Sequence, residues 1–250
     1  MLEFRDITFK YPEDKYRMMD NLSFNVDKGD FVSIIGASGC GKSTILRIIN
    51  GLEKQEQGQV LINNISIDNL NNYSAYMPQK DLLFPWKCVK DNLSIPMDIQ
   101  KINKNEKEKR IIEVLKEIGL EGYEDKYPKD LSGGMRQRVA FGRTLLTGSE
   151  LLLLDEPFSA LDSLTKMNMQ EWLLEQYNHL NKTVIFITHD VEEAIFLSKY
   201  IYVIVDRPIT KLERIEIPLE YPRDRSMLKR RDIIDLKESL INKLRMKVEI

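Results

Sequence analysis

The sequence has few cysteines, short apolar runs and little net charge, and each shortage excludes a class of protein. Its two cysteines are Cys40 and Cys88, and because they show no metal-ligand spacing, neither a disulfide framework nor a cysteine metal site is expected. The longest apolar runs, Leu151–Leu154 and Ile201–Val205, are far too short to span a bilayer. The first residues show no signal-sequence pattern. These features predict a soluble protein of a reducing compartment that reaches a membrane only through a partner.

An excess of basic residues is also missing. Lys and Arg number 37 against 39 Asp and Glu, which gives a formal net charge of -2. A dedicated nucleic-acid binder usually shows a clear basic excess, so no nucleic-acid partner is expected. The 250 residues are 42% hydrophobic, which is enough to form the core of one domain with a lobe, or of two small domains.

The most informative stretch is a glycine-rich turn between an apolar run, Phe31–Ile35, and an amphipathic run that ends at Asn50. Its G-x-x-x-x-G-K-S pattern predicts a P-loop, in which backbone N–H groups and a helix N-terminus bind phosphate. Lys42 should reach the β- and γ-phosphates, and Ser43 should ligate Mg²⁺. The alternative is a plain glycine-rich turn. The predicted nucleotide-binding residues of this loop are Gly36, Ala37, Ser38, Gly39, Cys40, Gly41, Lys42, Ser43 and Thr44.

Cys40 has a reactive position within the predicted loop. A nearby helix N-terminus favours the thiolate form of a cysteine. We therefore expect modification of this thiol to block ATP binding, and ATP to protect it. A small filler residue that the loop tolerates is an equally open interpretation.

Polar residues follow two other predicted buried strands. Leu151–Leu154 precedes Asp155 and Glu156, and Thr183–Ile187 precedes His189. Adjacent acids on a strand point in opposite directions, so one can hold Mg²⁺ while the other faces an attacking water as a base. The histidine should lie at the same sheet edge, where it can polarise a γ-phosphate or orient water. A solvated strand end is the alternative.

The middle of the chain, about 88–148, changes to helical patterns and predicts an inserted helical lobe. Asn105, followed by Glu108, resembles a capping box at the start of one helix. Leu131–Gly134 precedes another helix, and Ser132 should lie at its N-terminus, a position suited to anions.

Three further segments give weaker signals, and the first two allow two interpretations each. Tyr11 follows the predicted strand Leu2–Phe9, and from its position alone a packed loop tyrosine is favoured over a residue that stacks on a base. Asp81–Trp86 places apolar and aromatic residues beside a proline, which fits a contact surface or a core corner equally. The charged tail keeps apolar residues at helical spacing, which predicts a helix that packs on the body.

Taken in order, these motifs resemble the ATP-binding cassette (ABC) family over about residues 1–220. The resemblance rests on the P-loop, Gln79, Leu131–Gln137, Leu151–Glu156, Ser159–Asp162 and His189. It implies an α/β fold: a P-loop NTPase (RecA-like) core, an N-terminal antiparallel β subdomain and an inserted α-helical subdomain. Residues 1–220 would form the ATP-binding domain, and 221–250 a C-terminal helical tail.

The resemblance implies ATP and Mg²⁺ as cofactors. It makes Tyr11 the aromatic residue that stacks on adenine, in place of the packed loop tyrosine favoured above. Lys42 and the loop amides would hold the phosphates. Ser43 and Gln79 would contact Mg²⁺, with Asp155 acting on the metal mainly through water.

The resemblance also assigns catalysis and dimer contacts. Glu156 would be the general base and His189 the switch residue that contacts the γ-phosphate, with Lys42 and Gln79 completing the catalytic set. Three signature residues, Ser132, Gly133 and Gly134, would close over ATP held by a second subunit. Asp162 would communicate across that dimer.

Four stretches resemble the nitrate, sulfonate and taurine importers, a group that includes importers of thiamine precursors: Gln79–Trp86, Asp162–Thr165, Thr188–Leu197 and Arg207-Pro208. The implied partners are a second ATPase chain, with a homodimer expected, transmembrane permease subunits and, indirectly, an extracytoplasmic solute-binding protein. The implied location is the cytoplasmic face of the cell membrane. Two alternatives are a soluble ATP-driven clamp not linked to transport, and a non-hydrolysing nucleotide-binding module.

Overall fold

The computed structural model describes residues 1–180 and 182–245, so the last part of the predicted tail, 246–250, lies outside the described residues. The strands are β1 (Leu2–Phe9), β2 (Met19–Val26), β3 (Phe31–Ile35), β4 (Gln57–Ile62), β5 (Ile65–Ser66), β6 (Ser74–Met77), β7 (Leu151–Asp155), β8 (Thr183–Ile187), β9 (Tyr200–Ile204) and β10 (Leu212–Glu216). The α-helices are α1 (Lys42–Ile49), α2 (Val89–Ile99), α3 (Lys104–Glu117), α4 (Gly133–Leu145), α5 (Ser163–Leu180), α6 (Val191–Leu197) and α7 (Arg231–Arg245).

The larger sheet has the strand order β10-β9-β3-β8-β7-β6, and all of its neighbouring pairs except β10 with β9 are parallel. Its central strands are fully buried and mostly apolar, as expected when both faces of a sheet are covered. In β7, Leu151 and Leu153 pack into one core cluster, whereas Leu152 and Leu154 pack into another. The sequence therefore specifies a sheet that is buried on both sides.

The smaller sheet is antiparallel, with the order β2-β1-β4-β5. Phe4 of this sheet, Ile45 of α1 and Leu153 of the large sheet belong to the same buried cluster. The antiparallel sheet thus covers the helix that follows the glycine-rich turn. This is the predicted N-terminal β subdomain.

The predicted helical lobe lies between β6 and β7 and contains α2, α3 and α4. A Cβ at Gly142 would lie 3.0 Å from Val114 Cγ1, so α4 and α3 approach closely. The predicted capping box is wrong. Asn103, not Asn105, caps α3, because its extended backbone lets its Oδ1 accept the Glu106 N–H at 3.0 Å.

The predicted helix in the tail is confirmed as α7. It buries Ile233 and Leu240 in a cluster with Ile195 of α6. Among the described residues, no helix is both long enough and apolar enough to cross a membrane.

Candidate functional site

The topology brings four sequence-predicted segments to one edge of the large sheet. Strands β3, β8, β7 and β6 are neighbours in that order and run parallel, so the loops at their carboxyl ends meet. These loops carry the glycine-rich turn, His189, the Asp155-Glu156 pair and Gln79.

The glycine-rich turn is held in a tight conformation by its glycines and by Lys42. A Cβ at Gly36 would lie 2.8 Å from Cys40 Sγ, and Gly41 has φ 112°, which favours glycine. The buried Lys42 Nζ donates to the carbonyls of Gly36 and Ala37, at 2.9 and 3.0 Å. The loop backbone from Gly36 to Gly41 is thus fixed before the first turn of α1.

Cys40 departs from the expectation of a reactive thiolate. Its side chain is buried, and desolvation raises the pKa of the thiol in spite of the nearby Lys42 and Arg207 charges. The sequence showed the helix N-terminus but not the packing of Sγ beneath Gly36. The prediction of a favoured thiolate is therefore wrong for the molecule in this conformation.

Ser43, in the first turn of α1, and Asp155, at the end of β7, meet directly. Ser43 Oγ donates to Asp155 Oδ1 at 2.9 Å, and the Tyr76 hydroxyl donates to Asp155 Oδ2 at 2.8 Å. Burial raises the pKa of Asp155, while the two hydrogen bonds act in the opposite direction. The hydroxyl and the carboxylate offer the hard oxygen ligands that Mg²⁺ prefers, so this pair fits the predicted metal.

Glu156 and His189 form a second pair at the same edge. His189 Nδ1 lies 3.0 Å from Glu156 Oε2. Gln79 Nε2 lies 3.4 Å from the same oxygen and donates to Ser159 Oγ at 3.2 Å. Glu156 has φ 45°, a sparsely populated conformation for a residue with a side chain. Two sequence-predicted residues, His189 and Gln79, therefore converge on the carboxylate of a third, Glu156.

Tyr11 lies beside the start of α1. Its hydroxyl is 3.1 Å from Thr44 Oγ1, and its ring packs edge-on against Phe9. A cavity of about 440 Å³ opens next to this part of the molecule, and Arg207 Nη2 lies 3.7 Å from the position of a Cβ on Gly39. The cavity is lined by Asp14, Lys15, Tyr16, Arg17, Met18, Arg207 and Pro208.

Ser132, Gly133 and Gly134 lie at the start of α4, and the two glycines lie close to residues at and just before the start of α5. Ser132 caps α4 by accepting the Met135 N–H at 3.3 Å. A Cβ at Gly133 would lie 3.2 Å from Leu161 Cδ2, and one at Gly134 would lie 2.7 Å from Thr165 Cγ2. Within the described part of the chain, no hydrogen bond joins these three residues to the glycine-rich turn.

Asp162 caps the start of α5. Its Oδ1 accepts the Thr165 N–H at 3.1 Å, and its hydrogen bonds with Thr165 hold the pKa of Asp162 below the ordinary value. Sequence reasoning gave no role to three other residues at the site, Tyr76, Ser159 and Arg207. Ser159 and Arg207 belong to stretches that carry the resemblance, but the positions of all three side chains depend on long-range folding.

Comparison with known proteins gives consistent matches. A family model described as ABC transporter matches residues 19–159. An aliphatic sulfonates import ATP-binding protein of Bacillus cereus is 40% identical over 84% of this chain and 82% of its own. A formylaminopyrimidine import ATP-binding protein of Halalkalibacterium halodurans is 40% identical over 89% and 87%. A dimeric, post-hydrolysis structure of the ATP-binding cassette MJ0796 bound to ADP and Pi superposes with a TM-score of 0.73, at 29% identity, over 88% of this chain and 100% of that one.

Proposed function

Because this chain belongs to the ABC transporter family, we propose that it is the ATP-hydrolysing subunit of an importer. The observation that carries the proposal is the convergence of Ser43 with Asp155, and of Glu156 with His189, beside a P-loop. Residues 1–220 would form the ATP-binding domain, with the helical subdomain at about 88–148 and a tail at 221–250.

In this proposal the P-loop amides and Lys42 hold the phosphates of ATP, with Tyr11 beside the base. Ser43 and Gln79 would hold Mg²⁺, with Asp155 contributing mainly through water. The ion would neutralise charge that develops on the phosphate oxygens. Lys42 is already aligned along the loop by its two carbonyl contacts. Phosphoryl transfer depends mostly on such positioning and charge stabilisation.

Glu156 is proposed as the general base and His189 as the residue that contacts the γ-phosphate. Their side chains lie 3.0 Å apart, and Gln79 approaches the same carboxylate. This arrangement can orient a water and accept its proton at Glu156 Oε2 while the imidazole faces the departing phosphate.

We further propose that two chains close over two ATP molecules. Ser132, Gly133 and Gly134 belong to the motif that would cover the ATP of the opposite chain, and Asp162 would face across the dimer. Two features support this proposal. The signature segment has no hydrogen bond to the P-loop of its own chain within the described residues, and the similar cassette structure is dimeric.

A permease is the proposed membrane partner, which would place the chain at the cytoplasmic membrane face. The proposed contact surface is the segment Phe84-Pro85-Trp86, whose residues Phe84 and Trp86 are 38% and 70% exposed. Buried Asn92 holds this segment in shape: it accepts the Phe84 N–H at 2.8 Å and donates to the carbonyls of Phe84, Lys87 and Cys88. A rigid exposed apolar surface fits a docking site for another protein.

The proposed cargo is a small solute of the sulfonate, nitrate, taurine or thiamine-precursor type, supplied by a solute-binding protein. The support is the similarity to sulfonate and formylaminopyrimidine import subunits over more than four fifths of this chain.

The proposed function is tested by phosphate release from ATP and Mg²⁺ with the full chain. Wild type should turn over ATP. Glu156→Gln should lose about 10²- to 10⁴-fold in kcat, the usual contribution of a general base, while it still binds ATP and accumulates as a dimer in gel filtration. Full activity of Glu156→Gln excludes Glu156 as the base, and an inactive wild-type chain contradicts the ATPase proposal.

A further inference from the structure

The first turn of α5 contacts two functional segments at once. Thr165 Cγ2 lies under Gly134 of α4, close enough that a Cβ there would approach it to 2.7 Å. The next residue, Lys166, points to the other side and reaches α6. Its ammonium donates to Asp190 Oδ2 at 2.9 Å and lies 3.5 Å from Glu193 Oε1. Two adjacent residues of one helix therefore link the signature segment to the loop that carries His189.

The backbone on both sides of His189 is fixed by the same polar cluster. Thr188 Oγ1 donates to Glu193 Oε2 and accepts the Asp190 N–H, the latter at 3.0 Å. Asp190 Oδ1 caps α6 by accepting the N–H groups of Glu192 and Glu193, at 3.0 and 3.2 Å. Thr188 and Asp190 are the immediate neighbours of His189 in the chain, so this cluster fixes the position of the backbone that carries the imidazole.

Glu193 is the buried centre of this cluster, and its side chain is only 4% exposed. Gln170 Nε2 donates to Glu193 Oε1 at 2.7 Å, and Arg225 in turn donates to Gln170 Oε1 at 2.6 Å. Among the described residues, Lys166 is the one cation that forms an ion pair with Glu193. A buried carboxylate without its counter-charge is unfavourable, so loss of Lys166 should displace Glu193 and its partners.

We propose that Lys166 is a positioning residue for the reaction. It holds His189 against Glu156, and through α5 it keeps the loop that carries His189 aligned with the signature segment. This inference rests on the proposed ATPase function. Lys166 does not touch the reacting atoms. It acts through Asp190, Glu193 and Thr188, so its removal should affect turnover more than nucleotide binding.

The experiment compares Lys166→Met with Lys166→Arg in the full chain. Lys166→Met removes the charge and should lower kcat by about ten- to a hundredfold, since small misplacements of reacting groups have effects of this size, with the KM for ATP changed less than threefold. Lys166→Arg keeps the charge and should recover most of the kcat. Lys107→Met is the matched control, because Lys107 is similarly buried and pairs with Asp98 in the helical lobe.

A second readout is independent of turnover. The chain has two histidines, His179 and His189, so the ¹⁵N resonances of the imidazoles report both rings in one NMR spectrum. Lys166→Met should move the His189 resonances and leave those of His179, on the exposed side of α5, in place. This comparison still tests the inference if the wild-type chain proves not to hydrolyse ATP.

Asp190→Asn is the second variant in case Lys166→Met does not fold. Asparagine is as good a helix N-cap as aspartate, so α6 stays capped while the ion pair with Lys166 is lost. It should lower kcat and move the His189 resonances in the same way. Unmoved His189 resonances in both variants, or equal losses of kcat in Lys166→Met and Lys166→Arg, would overturn the proposal.

Discussion

Asp155 is the buried carboxyl of the site, and its hydrogen bonds oppose the effect of burial on its pKa. Burial raises the pKa of this carboxyl, and the bonds from Tyr76 and Ser43 lower it. The Tyr76 hydroxyl keeps its proton over the whole physiological range, because burial and Asp155 raise its pKa to about 12. Tyr76 is thus a constant donor that favours the ionised carboxylate.

Tyr76→Phe should therefore shift the acid limb of the pH profile to higher pH. Without the donor, the pKa of Asp155 rises further, and a smaller fraction is ionised at any acidic pH. The measurement is kcat/KM for ATP between pH 5 and 8. Tyr123→Phe in the helical lobe is the control, and it should leave the profile unchanged. An identical acid limb in Tyr76→Phe and wild type would show that ionisation of Asp155 does not limit activity.

At the residue scale, one local signal was correct and another was wrong: Ser132 lies at a helix N-terminus as predicted, whereas the capping box predicted at Asn105 is not formed. Ser132 and Asp162 each accept the N–H of the residue three positions later. The bonds from Tyr76 to Asp155 and from Lys166 to Asp190 join residues 79 and 24 positions apart. No local pattern encodes such pairs, and the burial that raises the pKa of Cys40 depends equally on tertiary packing.

At the scale of elements, the strands were the most predictable part. The leucine run of β7 and the apolar run of β8 are buried on both faces, so their composition reflects their position directly. The ends of helices were less predictable. Asn103 and Asn105 both precede a Glu by three residues, and only the backbone conformation decides which one caps α3.

The segment Phe84-Pro85-Trp86 supports a prediction about the proposed permease. Phe84→Ala combined with Trp86→Ala should reduce co-purification with the permease subunits at least tenfold, because central aromatic contacts often contribute 2 kcal/mol or more to binding. ATPase activity of the free chain should stay near wild type, since both rings are exposed and lie outside the proposed catalytic residues. Ile112→Ala, at an exposed position of α3, is the control. Unchanged assembly in the double variant contradicts the docking proposal.

At the scale of the whole molecule, the central question is whether one chain forms a complete site. Lys42, Ser43, Glu156 and His189 meet at one sheet edge, but the signature segment contacts α5 instead. The sequence shows both halves of the proposed site in every chain. It cannot show that they face different ATP molecules, because that depends on how two copies assemble.

Mixing two inactive variants tests this assembly. Lys42→Ala removes the P-loop charge, and Ser132→Arg blocks the signature segment at an exposed position outside the core. Each variant alone should be nearly inactive. If symmetric dimers form at random in an equal mixture, half of them combine both variants. Each of these mixed dimers has one intact site of two. If the sites act independently, about a quarter of wild-type activity should therefore return. The control mixes Lys42→Ala with Glu156→Gln, which lacks the base: no dimer of these two variants has a site with both an intact P-loop and Glu156. If ATPase activity returns in the mixture of Lys42→Ala with Ser132→Arg but not in the control mixture, ATP must lie between the two chains. If activity returns in neither mixture, the complete site lies within one chain.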